Sequence, residues 1–429
     1  MKQNNHATRQ RARAIISIVC MAIISLSAAI ARAADWPQWK GSLRDNVSPE
    51  TGLNVDWNAK KPTLLRTSEG LGIGFSDLCF CGDRIYTMGD FDDQTFMIAL
   101  DRATSKVVWK TKVGKGGRVS ALNGPKATPV SNGRFVLGLN HCGIICCLDC
   151  QSGKMIWTKN MHDDFHGFIM QRGPNHDNDW GYAESPLLDG DRLICCPGGK
   201  DGTVLALDIA TGNVVWRTTD VTDNASYASV TVINTSAGRV GMISTEVSFL
   251  GIRLEDGKVL WRLPFDGTSP SLCCDAVHQD GYMVYSYAVK TGFFGAQLKD
   301  GATPSAERTF SLEETGNKQH GMILRDGLVF TTTNRGGLLC FDAKTGNVKW
   351  KNRRLRACYT MTSYENRIIL RNEKTGELTL VETNGEKYIE WGKLDQPDRS
   401  DQQAWCYPIV IDKKLYIRDQ DKLFEYDLR

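Results

Sequence analysis

The sequence predicts an all-β, eight-bladed propeller of four-stranded blades, and three observations carry that prediction. A strand–turn–strand phrase recurs along the chain. Its period fits one propeller blade. The last copy stops one strand short, and a spare strand stands near the start.

The clearest copy is GTVLALDIATGNVVW, from Gly202 to Trp216. MIALDRATSKVVW (Met97 to Trp109) and IICCLDCQSGKMIW (Ile144 to Trp157) repeat it. So do LGIRLEDGKVLW, ending at Trp261, and LLCFDAKTGNVKW, ending at Trp350. In each, two β-forming runs flank a Gly or Ser able to take the positive φ of a tight hairpin. The Asp can accept backbone N–H groups inside that turn. One hairpin cannot bury both faces, so the copies must pack on one another.

The Asp slot sets the count. It holds Asp101, Asp149, Asp208, Arg253, Gln297, Asp342, Glu382 and Asp427, at steps of 48, 59, 45, 44, 45, 40 and 45 residues. That spacing suits a four-stranded blade and is too long for a leucine-rich or ankyrin unit. The fifth and seventh copies are degenerate. Two residues before the slot stand Ala99, Cys147, Ala206, Gly251, Gly295 and Cys340. Small side chains at one register predict close approach of neighbouring sheets. The chain ends at Arg429, just past the eighth slot. Pro62 to Thr67 (PTLLRT) is therefore expected to supply the missing strand and close the ring, which leaves only short, protected sheet edges. In it Arg66 stands where other copies carry Trp.

Residues 1–33 read as a secretory leader, and 34–429 as a single propeller domain. Lys2, Arg9, Arg11 and Arg13 precede an apolar run from Ala14 to Ile30, and Ala31-Arg32-Ala33 forms a small-residue cleavage site. The arginines form no adjacent pair, and Cys20 lacks the small residues of a lipoprotein site. The apolar run has 17 residues, the short limit for a membrane span, and no downstream run is long enough. The expectation is an exported protein, periplasmic or extracellular, with no transmembrane segment in the mature chain. The leader holds five Lys/Arg and no acid, so 47 basic face 49 acidic residues in the remainder. Without a cationic footprint, nucleic acid is not an expected partner.

Thirteen cysteines remain beyond the leader, three pairs of them adjacent: Cys146-Cys147, Cys195-Cys196 and Cys273-Cys274. Neighbours on a strand point to opposite faces, and a disulfide within a pair would need a strained eight-membered ring, so thiols are the expected state, while the exported compartment leaves some disulfides open. Cys147 and Cys340 fill the small-residue slot and are expected to be buried thiols acting as small hydrophobes.

In chain order, Asp35 to Gly41 (DWPQWKG) opens the mature chain, and Trp36 and Trp39 are expected to pin it against the outside of the ring. Blade one is predicted from Phe75 to Thr111 and blade two from Thr128 to Thr158. The longest insertion, Asn160 to Asp179, follows, with His162, His166, His176, Asp163, Asp164, Asp177 and Asp179. On one helical face, His162 and His166 could bind a metal. Loops of this polarity are usually just solvated, and no two C-x-x-C motifs occur together as in a zinc site, so no metal site is assigned. Blades three to seven extend to Trp391, and the last blade begins near Trp405.

The first strand of each propeller blade faces the central channel, so the segments leading into these strands crowd one mouth. They are GIGFSD from Gly72, GPKATP from Gly124, WGYAESP from Trp180, NASYAS from Asn224, TSPS from Thr268, KQHG from Lys318, CYT from Cys358 and AWCYP from Ala404. They bring Lys126, Trp180, Tyr182, Glu184, Tyr227, His320, Tyr359 and Trp405 towards one concavity. Convergent aromatic and polar groups of this kind define a binding site.

ALDRATSKVVW, ALDIATGNVVW and CFDAKTGNVKW resemble the pyrroloquinoline-quinone (PQQ) enzyme repeat. DWPQWKGSLRDNVSPETGL, WGYAESPLLDGDRLICCPGGKDGT and KLYIRDQDKLFEYDL are similar to secreted PQQ-like propeller proteins of the planctomycete type. The resemblance spans nearly all of the mature chain. It implies either a BamB-like scaffold of outer-membrane protein assembly or a quinoprotein alcohol dehydrogenase. The dehydrogenase needs PQQ beside calcium, oxygen ligands, a carboxylate base and a wall made by an adjacent-Cys disulfide. Glu184 is the one carboxylate placed at the mouth, and neither Cys146-Cys147 nor Cys195-Cys196 takes the position of that wall. No C-x-x-C-H motif occurs. The expected function is therefore an exported, non-catalytic scaffold that takes a protein, peptide or glycan at its mouth. No catalytic residue and no cofactor are expected, PQQ with calcium belonging only to the alternative.

Overall fold

Eight copies of one phrase become eight four-stranded antiparallel sheets. The computed structural model describes residues 35–119, 122–169, 180–265, 267, 273–287, 292–314, 316, 320–333 and 335–429. The expected leader, Thr268 to Ser271, and Lys318 lie outside them. Blade one is Cys79–Cys81, Arg84–Phe91, Gln94–Asp101 and Val107–Lys115. The same meander repeats at 130–160, 187–217, 231–264, 277–312, 322–352 and 359–394. The degenerate fifth and seventh copies are complete four-stranded blades. The eighth joins Ile409–Ile411, Lys414–Asp419 and Lys422–Asp427 to Thr63–Ser68 as its outermost strand. The ring thus closes on the expected segment, one residue further on. No helix among the described residues is long and apolar enough to cross a membrane.

The Asp slot works as a local turn lock. Asp208 accepts from the Thr211 N–H at 2.9 Å and hydroxyl at 2.7 Å, and Asp101, Asp149 and Asp342 do the same. The small slot has a cause the sequence did not reveal. Ala99, Cys147, Ala206, Gly251 and Cys340 pair across the sheet with Trp109, Trp157, Trp216, Trp261 and Trp350. At Gly251 the indole lies directly over its small partner. A Cβ on Gly251 would sit 2.0 Å from the Trp261 ring. Several of these indoles then reach the next blade. Trp109 donates to Cys150 O at 3.2 Å, Trp157 to Ile209 O at 2.9 Å and Trp216 to Leu254 O at 3.0 Å. Their rings also press on the turn glycines Gly153, Gly212 and Gly257 of that next blade. The repeat Trp is an inter-blade staple. Gly251→Ala is expected to force Trp261 out of its seat and cost about 1–3 kcal/mol by overpacking. Chemical denaturation reads it; an unchanged midpoint would show that Trp261 yields its seat over Gly251 without cost.

The seam is polar instead. Arg66, in place of the staple Trp, pairs across the sheet with Glu425 and donates to Ala103 O of blade one at 3.1 Å. Buried Glu425 also takes Lys414 at 3.1 Å and the Ser105 hydroxyl. Two fully buried arginines continue the seam. Arg371 of blade seven donates to Cys406 O and Arg418 O of blade eight, at 2.9 and 2.8 Å. Arg418 in turn donates to Ser76 O, Thr87 Oγ1 and Met88 O at 2.5–2.7 Å, and to Leu71 O and Gly72 O at 3.1–3.2 Å.

The opening segment corrects the sequence-based expectation: Trp36 and Trp39 lie inside the ring. Trp36 bridges to Phe80 on the inner strand of blade one. Pro37 O accepts from Ser131 N of blade two, at 2.9 Å. Arg44 donates to Ser185 O and Pro186 O beside the inner strand of blade three, at 2.7 and 3.0 Å. Trp39 Nε1 and Lys40 Nζ donate to Asp275 Oδ2 ahead of blade five, at 2.7 and 2.8 Å. Val47–Ser48 then runs parallel to the inner strand of blade seven. A segment bonded to inner strands on opposite sides of a ring fills its bore. Lys40, Arg44 and Asn46 all have positive φ. Such strain persists where side chains over-determine it, and these three are the anchors, Asn46 bonding Met361 O.

Cysteine follows the alternation rule. Cys146 faces one inter-blade core with Met88 and Val136, and Cys147 the other with Leu137 and Leu193. No disulfide joins any two of the thirteen described cysteines. Burial pushes Cys147 and Cys340 up to about 12. Both should label slowly in native protein and quickly in urea. Rapid native labelling of both would contradict their burial.

Candidate functional site

The segments leading into the inner strands do converge, above the filled bore. A recess of about 80 Å³ is lined by Trp39, Phe75, Lys126, Trp180, Ala183, Tyr227, Ser229, Cys273, Trp405 and Tyr407. Its wall is an arc of rings from four blades. Tyr227 and Trp180 lie 5.4 Å apart between centroids, Trp180 and Trp405 6.2 Å, and Trp405 and Phe75 5.0 Å. Trp39 of the bore segment meets Tyr407 edge-on at 4.8 Å. Lys126 Nζ donates to Gly124 O at 3.3 Å beside this arc.

Four of the eight sequence-predicted residues therefore line the recess: Lys126, Trp180, Tyr227 and Trp405. Three do not, because they turn into the cores between blades. Tyr359 lies on a strand, whose side chains leave towards two faces that each meet a neighbouring blade, whereas Tyr182 and Glu184 lie in the segment before the strand Leu187–Asp189. Tyr182 is buried in the core shared by blades two and three, and its hydroxyl donates to Pro197 O at 3.0 Å. Tyr359 is buried in the core shared by blades six and seven. Glu184 is buried and accepts from Cys196 N at 2.6 Å.

The eighth residue, His320, lies beside the arc. Its Nε2 meets Glu373 Oε2 at 3.2 Å, and Trp405 Nε1 donates to the same oxygen at 3.3 Å. Burial alone would raise Glu373, but the His320 and Trp405 contacts outweigh it and hold the carboxyl below its usual value. Sequence reasoning missed Glu373. It opens a turn between blade-seven strands, and no spacing ties it to His320. The helical His162/His166 pair is also corrected. Residues 161–165 are turns, His162 Nδ1 faces Gly167 O at 3.0 Å, and His166 Nδ1 faces Asp201 at 2.6 Å. His176, Asp177 and Asp179 lie outside the described residues.

Burial pushes Glu184 up to about 8, partly opposed by the Cys196 N–H and the Arg44 charge. A carboxyl whose folded pKa is raised stabilises the fold fully below its unfolded value, near 4.5, and that stability is lost as pH rises through about 8. The melting temperature of Glu184→Gln should therefore fall less steeply than that of the parent between pH 5 and 9. Parallel curves would show that Glu184 does not titrate there.

A dehydrogenase site does not fit these residues. The recess is smaller than the roughly 150 Å³ cavity that takes one benzene. Trp39 and Lys40 fill the space below it. The adjacent cysteines are separate thiols, and Glu184 is closed off from the recess.

The architecture defines a class: an eight-bladed propeller with indole-stapled blades and an aromatic mouth over a filled bore. A family profile described as outer membrane protein assembly factor BamB matches residues 92–352 and 295–405. The chain belongs to that family. BamB of Yersinia pestis is 20% identical over 263 residues, covering 57% of this chain and 60% of that protein. The chain thus spans less than two thirds of that relative's length. The crystal structure of BamB from Moraxella catarrhalis aligns with a TM-score of 0.59 at 14% identity, over 85% of this chain and 99% of that one. A quinohemoprotein alcohol dehydrogenase from Comamonas testosteroni aligns with a TM-score of 0.63 at 12% identity, over 93% and 81%. At these identities the structural likeness shows the fold alone.

Proposed function

We propose that this protein is an exported, non-catalytic scaffold whose aromatic mouth holds a protein loop or peptide. One observation carries the proposal: the bore is filled by the chain's own segment, and what remains above it is a shallow arc of Tyr227, Trp180, Trp405 and Phe75. Rigid aromatic rings with a few polar groups are the typical anchors of recognition surfaces. Family membership supports a role in assembly, because the matched family is described as an outer membrane protein assembly factor. The leader-like pattern of residues 1–33 supports export.

Selection of loop and peptide ligands from a display library tests the proposal. Ligands that bind the parent should lose about 30-fold or more in affinity on Trp405→Ala or Trp180→Ala, the scale of a buried aromatic hot spot. Glu184→Gln should bind as the parent does. Ligands indifferent to both Trp replacements would overturn the assignment of the mouth.

A further inference from the structure

Three donors of different chemistry meet at the rim of the mouth. His320 precedes the inner strand of blade six, Met322–Arg325. Cys358 precedes the inner strand of blade seven, Tyr359–Tyr364. Glu373 follows the second strand of that blade, Arg367–Asn372. One ligand atom from each lies within 4.8 Å of the other two.

We propose that His320 Nε2, Cys358 Sγ and a Glu373 carboxylate oxygen form a site for one Zn²⁺ ion. The donor set is the first reason. Imidazole, thiolate and carboxylate together suit Zn²⁺, whereas Ca²⁺ and Mg²⁺ take oxygen ligands. Spacing is the second. Tetrahedral zinc with ordinary bond lengths holds its N, O and S ligands about 3.3–3.6 Å apart. His320 Nε2 and Glu373 Oε2 already stand 3.2 Å apart. The sulfur lies within 4.8 Å of both, so it meets that spacing with a shift of about 1 Å at most.

Preorganisation is the third reason. Glu373 N donates to Cys358 O at 3.1 Å, so two ligand residues are tied through their backbones. Ala404 N donates to Glu373 O at 2.7 Å, and Trp405 Nε1 orients the carboxylate. Tyr407 Oη accepts from Gly321 N at 2.6 Å, fixing the residue after His320. Cys358 Sγ donates to Thr333 O at 3.5 Å. Zn²⁺ would displace that proton to solvent, and the thiolate would turn from the carbonyl to the metal. Outer partners of this kind hold ligands in place at known zinc sites. Three protein ligands leave a fourth position for water or for a group on a docked partner. Trp405 joins this site to the recess, since it lines the recess and bonds Glu373.

The purified protein, stripped with chelator, is titrated with Co²⁺ and then Zn²⁺. The expected result is one equivalent of metal, tetrahedral visible bands, a thiolate-to-cobalt absorption, and displacement of both by Zn²⁺. Cys358→Ser should abolish the thiolate absorption. His320→Ala and Glu373→Gln should each weaken Zn²⁺ by more than about 100-fold, since even outer partners of ligands are worth about 10–100-fold. Cys142→Ser should change nothing. If His320→Ala does not fold, Glu373→Gln, which keeps the side-chain shape, decides alone. A thiolate absorption that survives Cys358→Ser, an octahedral cobalt spectrum, or parent-like affinity in Glu373→Gln would overturn the site.

Discussion

Arg418→Met yields no folded ring. Arg418 is 1% exposed, and its guanidinium serves four backbone carbonyls of blade one and the segment leading into it. Met fills much of the volume but donates nothing. Each buried carbonyl left unpaired costs about 1–3 kcal/mol. Ser76 O keeps the Thr87 hydroxyl at 3.2 Å, and the other three sum to about 3–9 kcal/mol, comparable to the 5–15 kcal/mol that holds a typical domain together. The loss falls at the seam, where Arg66 replaces the staple indole and no Trp compensates. Lys keeps the charge but offers three donors from one point, so Arg418→Lys should be intermediate. Circular dichroism and soluble yield measure both. A soluble Arg418→Met ring with a parent-like melting point would show that the seam closes without the guanidinium.

Asp275→Ala releases the bore segment. Asp275 Oδ1 accepts from Ser229 N at 2.7 Å, and Oδ2 takes Trp39 and Lys40. Lys40 is 4% exposed, so removing its partner leaves a buried, uncompensated charge. Breaking such a pair from one side costs about 3–5 kcal/mol. Because the segment is strained at Lys40, Arg44 and Asn46, it should leave the bore before the blades unfold. Hydrogen exchange should show residues 36–48 losing protection while the blade strands keep theirs. Asp275→Asn, which keeps one acceptor oxygen for either Ser229 N or the Trp39 and Lys40 donors but not for both, should lose less than Asp275→Ala. Unchanged protection of residues 36–48 in Asp275→Ala would refute the anchoring role.

These two sites differ in how well the sequence announces them. The blades were legible because each is written locally: Asp208, Thr211, Gly212 and Trp216 repeat at fixed offsets in other copies, and turn chemistry acts over a few residues. The closing strand followed from counting. The bore segment was not legible. Its opening, Asp35 to Gly41, was expected against the outside of the ring, and the partners that place Lys40, Arg44 and Asn46 lie 141 to 315 residues away. Half of the mouth was legible for a related reason. Sequence position brings Trp180, Tyr182 and Glu184 to the same end of blade three. Only packing decides that Trp180 reaches the recess while Tyr182 and Glu184 enter the core beside Pro197 and Cys196. The indole staple was half legible: the small slot and the Trp were both visible, but their pairing across the sheet was not.

The central claim is that the mouth is a recognition surface over a filled bore and not a quinone site. Equilibrium titration of the purified protein with PQQ and Ca²⁺, followed by absorbance and by dye-linked oxidation of a primary alcohol, tests it most directly. The predicted result is no saturable PQQ spectrum and no turnover. Stoichiometric PQQ binding with alcohol turnover, both lost on Glu184→Gln, would contradict the claim and establish the dehydrogenase.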